Sequence, residues 1–403
     1  MDQKLMARVL GREKSIFAAD LTSKHQQILE KIRKSRIVVT GAAGSIGSAF
    51  VRLVAAFKPK MMYLVDPSEN NLVELVRDLR SNPDTNCNFQ TLAIATGTRE
   101  FEAWINTLER CDYVANFSAL KHVRSERDPY TMMRMFHTNT AAVADMVDFM
   151  ASVWPGSNFY SVSTDKSVNP ASLMGATKYL MEQVMVAASD RIHVSSSRFA
   201  NVAFSDGSLL HGFLKRMEKN QPLSAPNDVR RYFLSPEEGG ELCVLSCFTA
   251  GNGEILFPSL SPAEDMMTFD RIAVTVLEHY GLRPIEFDDP HEAAEYARTR
   301  KSDDAQWPCC FGPSDTSGEK DFEEFYTEEE QGKVDLKRFS GIGIVHKDML
   351  SFDDRTRLGL TLEKMQILRN SGKWTLDQIQ DIVSGAVPTL SHIKRTKSLD
   401  EKM

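Results

Sequence analysis

The sequence predicts an α/β protein: a doubly wound parallel sheet preceded by a helical leader and followed by a smaller C-terminal region. Three observations carry this. From Arg36 onward, short β-rich runs ("RIVVT", "MMYLVD", "CDYVANF", "NFYSVST", "RIHVSSSRF") alternate with helical stretches, the texture of parallel strands covered on both faces. The first run leads directly into a glycine-rich turn and a helix, "TGAAGSIGSAFVRLVAAF". After about Ser205 the regular alternation gives way to longer connections.

Taken in order, residues 1–35 are the leader, with Leu21, Ile28, Leu29 and Ile32 on one helical stripe. Its acidic residues and lack of an apolar segment exclude a targeting peptide. Residues 36–205 form the dinucleotide-binding sheet domain, 206–390 the substrate-binding region and C-terminal extension, and 391–403 a basic tail. Within the extension, residues 288–333 are rich in Asp, Glu, Pro and Gly, which predicts loops and short helices. Five aromatics between Trp307 and Tyr326 predict that this stretch docks on the rest of the chain. "TLEKMQILRNSGKWTLDQIQDIVSGAVP" returns to helical periodicity.

Composition narrows the function classes. A net charge of -7 argues against a nucleic-acid partner. No apolar run approaches the roughly 18 residues that span a bilayer, so no membrane partner is expected. The six cysteines (Cys87, Cys111, Cys243, Cys247, Cys309, Cys310) have no CxxC spacing; they read as reduced thiols of a cytoplasmic protein without a metal site. The adjacent pair Cys309 and Cys310 reads as packing.

Gly41, Gly44 and Gly47 form a GxxGxxG turn between a strand and a helix, the Rossmann-type arrangement. Such a turn lets the backbone bend sharply and approach a pyrophosphate, which Ser45, Ile46 and Gly47 meet at the helix N-terminus. Asp66 ends the next strand at the spacing of a ribose-binding carboxylate. A carboxylate there would repel a ribose phosphate, so the expected cofactor is NAD, not NADP; the alternative is a surface Asp opening a turn before Pro67. Phe117, Ser118 and Ala119 leave the fourth strand beside the cofactor. Asn139 on the following helix is either a structural or cofactor-side polar group or a helix-surface residue.

"STDKSVNPASLMGATK" places Thr164, Asp165 and Lys166 at the carboxyl end of a strand, where ligands bind in open α/β sheets. Asp165 can exchange protons with a hydroxyl. Lys166 can act as a base if burial and Lys178 depress its pKa. Lys178 follows Met174 by one helical turn and shares its face.

The series "TGAAGSIGS", "SALKHV", "STDKSVNPASLMGATK", "SRFANVAFSDGSLL" and "RRYFLSPEEGGEL" resembles the extended short-chain dehydrogenase/reductases over roughly residues 30–260. More narrowly it resembles the nucleotide-diphospho-N-acetylglucosamine 4,6-dehydratases of bacterial surface polysaccharide and nonulosonic acid synthesis, and "SDTSGEKDFEEFYTEEE" resembles the legionaminic-acid branch. The resemblance implies NAD-dependent removal of water from UDP- or GDP-activated N-acetylglucosamine. Hydride leaves carbon 4, water is lost across carbons 5 and 6, and hydride returns to carbon 6.

It places Met174 where a catalytic Tyr is usual, so that Thr164, Asp165 and Lys166 handle the protons, with Thr164 on oxygen 4. Which of Asp165 and Lys166 serves which carbon stays open. Lys178 is implied on the nicotinamide ribose, Asn201 and Arg231 on the substrate diphosphate, with Arg230 the competitor, and Lys121 and His122 along the cleft, the alternative for these two being a surface Lys and a satisfied His. A homo-dimer or higher homo-oligomer, paired through helices flanking "MGATK", is implied too.

The sequence departs from the family where "LAIATGTRE" lacks the usual adenine-reading Asp, leaving backbone groups or Thr96. Asn116 and Phe117 replace small residues, which predicts a narrower cleft. The alternatives are a nucleotide-sugar 4-epimerase, which normally needs the missing Tyr, and a catalytically silent dinucleotide-binding regulator.

Overall fold

The structure is a computed structural model that describes residues 2–301, 303–314, 320 and 322–391; most of the basic tail lies outside them. Six strands, β1 (Arg36–Thr40), β2 (Met61–Val65), β3 (Phe89–Leu92), β4 (Tyr113–Asn116), β5 (Asn158–Thr164) and β6 (His193–Phe199), run parallel in the spatial order β3-β2-β1-β4-β5-β6. Five of them, β1, β2, β4, β5 and β6, match the runs read from the sequence, whereas β3 was not among those runs; the order reverses between β1 and β4, the Rossmann-type switch point.

Apolar helix faces explain why the sheet is buried on both sides. Helices Ala18–Arg33, Ser45–Ala56 and Pro236–Thr249 close one face through a core containing Ile32, Phe50 and Leu242. Helices Pro129–Phe136, Ala142–Val153 and Leu173–Ala188 close the other through Met133, Val147 and Leu180.

The sheet does not stop at Ser205. Glu254–Pro258 continues it in parallel beside β6, and Ile342–His346 and Val334–Asp335 add an antiparallel edge. Two three-stranded sheets make up the smaller region. One joins Asn201–Val202, Arg230–Leu234 and Met266–Thr268; the other joins Leu223–Pro226, Gln306–Gly312 and Arg283–Glu286. Cys309 sits buried in the latter, its thiol pushed up to about 12 by burial.

The leader is two helices. Asp2 caps the first, Gln3–Leu10, and Gly11 ends it in the left-handed region, so Leu5 and Val9 join the core of the smaller region. The second, Ala18–Arg33, joins the large sheet through Ile28 and Ile32.

The C-terminal helices Phe352–Asn370 and Leu376–Ala386 pack on Leu173–Ala188, adding Leu358, Met365, Ile379 and Val383 to its core. The helix carrying "MGATK" is thereby packed against C-terminal helices of its own chain. Among the described residues, no helix is long and apolar enough to cross a membrane, and no cluster of His, Cys, Asp and Glu could hold a metal ion.

Candidate active site

The crevice at the switch point is built by close backbone contact. Gly41 has φ +67°, and a Cβ there would lie 2.6 Å from the Phe117 carbonyl carbon and the Ser118 nitrogen. A Cβ on Gly47 would lie 2.1 Å from the Gly41 oxygen. Helix Ser45–Ala56 starts at Gly44 with no side-chain cap, so the amides of Ser45, Ile46 and Gly47 open the helix where a diphosphate can meet them. This cradle fits a dinucleotide.

Asp66 is buried and ties the end of β2 to the turn: its carboxylate accepts from the Ala43 amide at 3.0 Å and the Ser68 amide at 2.8 Å. Ser118 accepts from Thr96 Oγ1 at 2.8 Å, which places Thr96 at the crevice. Ala119 is exposed beside it. Across the crevice, the Asp206 amide donates to Ser45 Oγ at 3.2 Å and Lys121 Nζ to Ser205 Oγ at 3.4 Å. His122 packs against Gly207.

Asn116 and Phe117 do not narrow the cleft in the expected way. Asn116 accepts from Thr40 Oγ1 and donates to Ser161, cross-linking β1, β4 and β5. Phe117 turns into the core against Phe50 and Tyr160. Asn139 is a positioning group: it accepts from the Leu120 amide and donates to the Leu120 carbonyl and Thr177 Oγ1.

At the end of β5, Thr164 caps a short 3-10 turn, Asp165–Ser167. Thr164 Oγ1 donates to Asp165 Oδ1 at 2.8 Å, and Lys166 Nζ donates to the same oxygen at 3.2 Å. Asp165 Oδ2 is buried with no hydrogen-bond partner.

Lys166 is not depressed. Burial pulls its ammonium down, but the carboxylates of Asp165 and Glu323 outweigh burial and hold it above the ordinary lysine value. The depressed lysine is Lys178: burial brings it to about 8 against the opposing pull of Glu182. Its Nζ lies 3.2 Å from Met181 Sδ. Met174 is buried in the helix-side core, its amide donating to Glu126 at 2.7 Å.

Of the two arginines, Arg231 is buried and Arg230 faces solvent, because adjacent strand residues point to opposite faces. Asn201, on the strand beside it, donates to the Tyr232 carbonyl at 3.4 Å.

Sequence reasoning missed Glu323. Its Oε1 lies 3.8 Å from Lys166 Nζ and 3.9 Å from Arg231 Nη2, so a carboxylate from the C-terminal extension joins the strand-end cluster. The only signal was the acidic stretch with its aromatics. Phe325 anchors that stretch by stacking on Phe257 and leaning on Tyr232.

The description "Polysaccharide biosynthesis protein" matches residues 37–301. Similar curated proteins include an uncharacterized membrane protein, MJ1061, of Methanocaldococcus jannaschii (28% identity, 65% of this chain, 78% of that one). They also include the probable polysaccharide biosynthesis protein EpsC of Bacillus subtilis (29%, 60% of this chain), of which this chain spans only 42%. The UDP-N-acetylglucosamine 4,6-dehydratase (inverting) of Campylobacter jejuni is 26% identical over 56% of this chain and 66% of its own. Relatives from Rickettsia bellii, at 24% identity, are named UDP-glucose 4-epimerase.

Among solved structures, Pen from Bacillus thuringiensis superposes with a TM-score of 0.63 at 18% identity, covering 82% of this chain and 98% of its own. WbmF from Bordetella bronchiseptica, in complex with NAD+ and UDP, does so with 0.51 at 13%, covering 90% and 99%. These share the fold. The family match takes in the glycine turn, the Asp165–Lys166 strand end and the Arg231 strand together, and the chain belongs to the polysaccharide biosynthesis protein family.

Proposed function

We propose that the protein is an NAD-dependent 4,6-dehydratase acting on UDP-activated N-acetylglucosamine, with the GDP-activated sugar the alternative substrate, in the synthesis of a surface glycan. The observation that carries the reading is the hydrogen-bonded Asp165–Lys166 pair at the end of β5, one helix away from a buried Met174 that can neither give nor take a proton.

The glycine cradle and Asp66 would hold the dinucleotide, which supplies the acceptor and later the donor of the hydride. The chain's own groups then manage protons. Asp165, with one carboxylate oxygen buried and unpartnered, takes the proton of the sugar's 4-hydroxyl as the ketone forms. Lys166, held protonated by its carboxylate neighbours, gives a proton to the departing 6-hydroxyl, which leaves as water. The 3.2 Å contact between the two lets Asp165 return its proton to Lys166; the elimination takes a proton from carbon 5 and one goes back to carbon 5 when carbon 6 receives hydride, so the sugar loses one water and both residues are reset. Lys178 and Arg231 hold the nicotinamide ribose and the substrate diphosphate, respectively, the latter through a planar fork suited to phosphate oxygens.

A 4-epimerase would need a proton exchanger at oxygen 4 but no acid for carbon 6, so a protonated Lys166 beside Asp165 favours dehydration. Incubation with UDP-N-acetylglucosamine, and separately the GDP sugar, tests the reading by mass spectrometry. Loss of one water supports it. An unchanged mass with an altered sugar makes the protein an epimerase, and an untouched sugar a silent binder.

A further inference from the structure

Two buried charge clusters in this chain are built differently. In the first, Arg198 is fully bonded: its guanidinium donates to Glu182 at 2.8 and 3.1 Å, to Glu330 at 2.6 and 3.0 Å, and to the Phe325 carbonyl at 2.8 Å. That is how a structural ion pair offsets the cost of burial.

In the second, Glu323 is 3% exposed, yet its cations stand at 3.8 Å (Lys166), 3.9 Å (Arg231) and 3.9 Å (Lys320), all beyond hydrogen-bond reach. Glu323 Oε2 is buried without a hydrogen-bond partner, as is Asp165 Oδ2. Buried polar atoms left unsatisfied are costly and call for an explanation. Here both sit around one lysine, leaving acceptors for the hydroxyls and acidic hydrogens of a bound sugar.

We propose that Glu323 is a third proton-handling catalytic residue, the base that takes the hydrogen from carbon 5. This rests on the dehydratase reading. Glu323 takes the proton from carbon 5 while the C–H electron pair becomes the bond between carbons 5 and 6. The bond from carbon 6 to oxygen breaks, and the oxygen leaves as water with a proton from Lys166. When carbon 6 receives hydride, the Glu323 carboxyl, its proton exchanged with solvent in the interval, gives a proton back to carbon 5. The proton that Asp165 took from the 4-hydroxyl restores Lys166, so one sugar loses one water and every group is reset.

Burial, reinforced by Asp165, holds the Glu323 carboxyl above the ordinary carboxylate range against the pull of Lys166, Arg231 and Lys320, and a base nearer neutrality is the better acceptor. The arrangement gives each of three residues one proton.

The test is Glu323→Gln, which keeps shape and removes the proton site. Expected are parental NAD binding and melting temperature, retained oxidation at carbon 4 seen as reduced-nicotinamide absorbance, and water loss slowed about 100-fold or more. Incorporation of solvent deuterium at carbon 5 should fall with it. Water loss within a few-fold of the parent, or equal loss of the carbon 4 oxidation, overturns the assignment.

If Glu323→Gln folds poorly, Glu323→Asp decides: its shortened carboxylate should slow exchange at carbon 5 more than oxidation at carbon 4, and equal slowing counts against the role. A parent that removes no water from either sugar nucleotide defeats the dehydratase reading and this assignment with it. An active parent with an equally active Glu323→Gln defeats this assignment alone.

Discussion

Gly175 stands so close to Lys166 that a Cβ on it would lie 2.3 Å from the Lys166 carbonyl oxygen. Helix Leu173–Ala188, which carries Lys178, can therefore meet the strand-end turn backbone to backbone. Gly175→Ala must push the two apart, because the obstacle is main chain and not a flexible side chain. We predict a loss of about 1–3 kcal/mol in stability, in the range of overpacking. Turnover should fall by roughly tenfold to a hundredfold, since small misplacements near reacting groups are costly. Denaturant melts and initial rates on one preparation check both.

Arg198 should be a stability residue first. Replacing it by Met leaves Glu182 a buried carboxylate with only the Ser163 and Ser167 hydroxyls, and Glu330 with Lys347 as its remaining cation, at a cost of about 3–5 kcal/mol. It also frees the Phe325–Glu330 stretch that positions Glu323, so activity should drop as well.

The pairing sets a pH dependence. Burial raises the Glu330 carboxyl, but Arg198 and then Lys347 outweigh it and bring it from 4.5 to about 2. A carboxyl lowered on folding contributes stability that is fully present above 4.5 and fades as pH falls toward 2. The parent's melting temperature should decline across that window, and Arg198→Met should flatten the decline. Thermal melts from pH 6 downward read the difference.

Lys178 should oppose folding where it serves function. Its ammonium, lowered from 10.5 to about 8 by burial, binds its proton less tightly in the folded chain than in the unfolded one. Stability therefore rises with pH between about 8 and 10.5, and below about 8 the residue carries its full cost. Lys178→Met should stabilise the protein at neutral pH by about 3 kcal/mol while weakening NAD binding and removing turnover. A variant that is less stable than the parent would contradict this.

The sequence made the strands legible because β-rich runs and helical stretches alternate with few insertions up to β6. The turn was legible because only glycine fits at Gly41 and Gly47. Thr164, Asp165 and Lys166 were legible because a strand end fixes where they lie. What escaped was set by distant segments. Glu254–Pro258 is a short apolar run whose place beside β6 depends on the whole sheet. The pKa of Lys166 was misjudged because burial was weighed without the pull of the adjacent Asp165, and Glu323, far along the chain, was not foreseen. The docking of helices Phe352–Asn370 and Leu376–Ala386 on Leu173–Ala188 escaped because an apolar stripe does not name the surface it covers. Phe117 looked like a cleft residue until Phe50 and Tyr160 proved to be its neighbours.

The most direct test of the central claim, that Asp165 and Lys166 handle the protons a tyrosine would otherwise handle, is the rate of water loss from UDP-N-acetylglucosamine by Lys166→Met set against the parent, with NAD binding measured on both. The account predicts unchanged NAD affinity and water loss reduced by about 100-fold or more. Turnover equal to the parent's would remove Lys166 from the chemistry and contradict it.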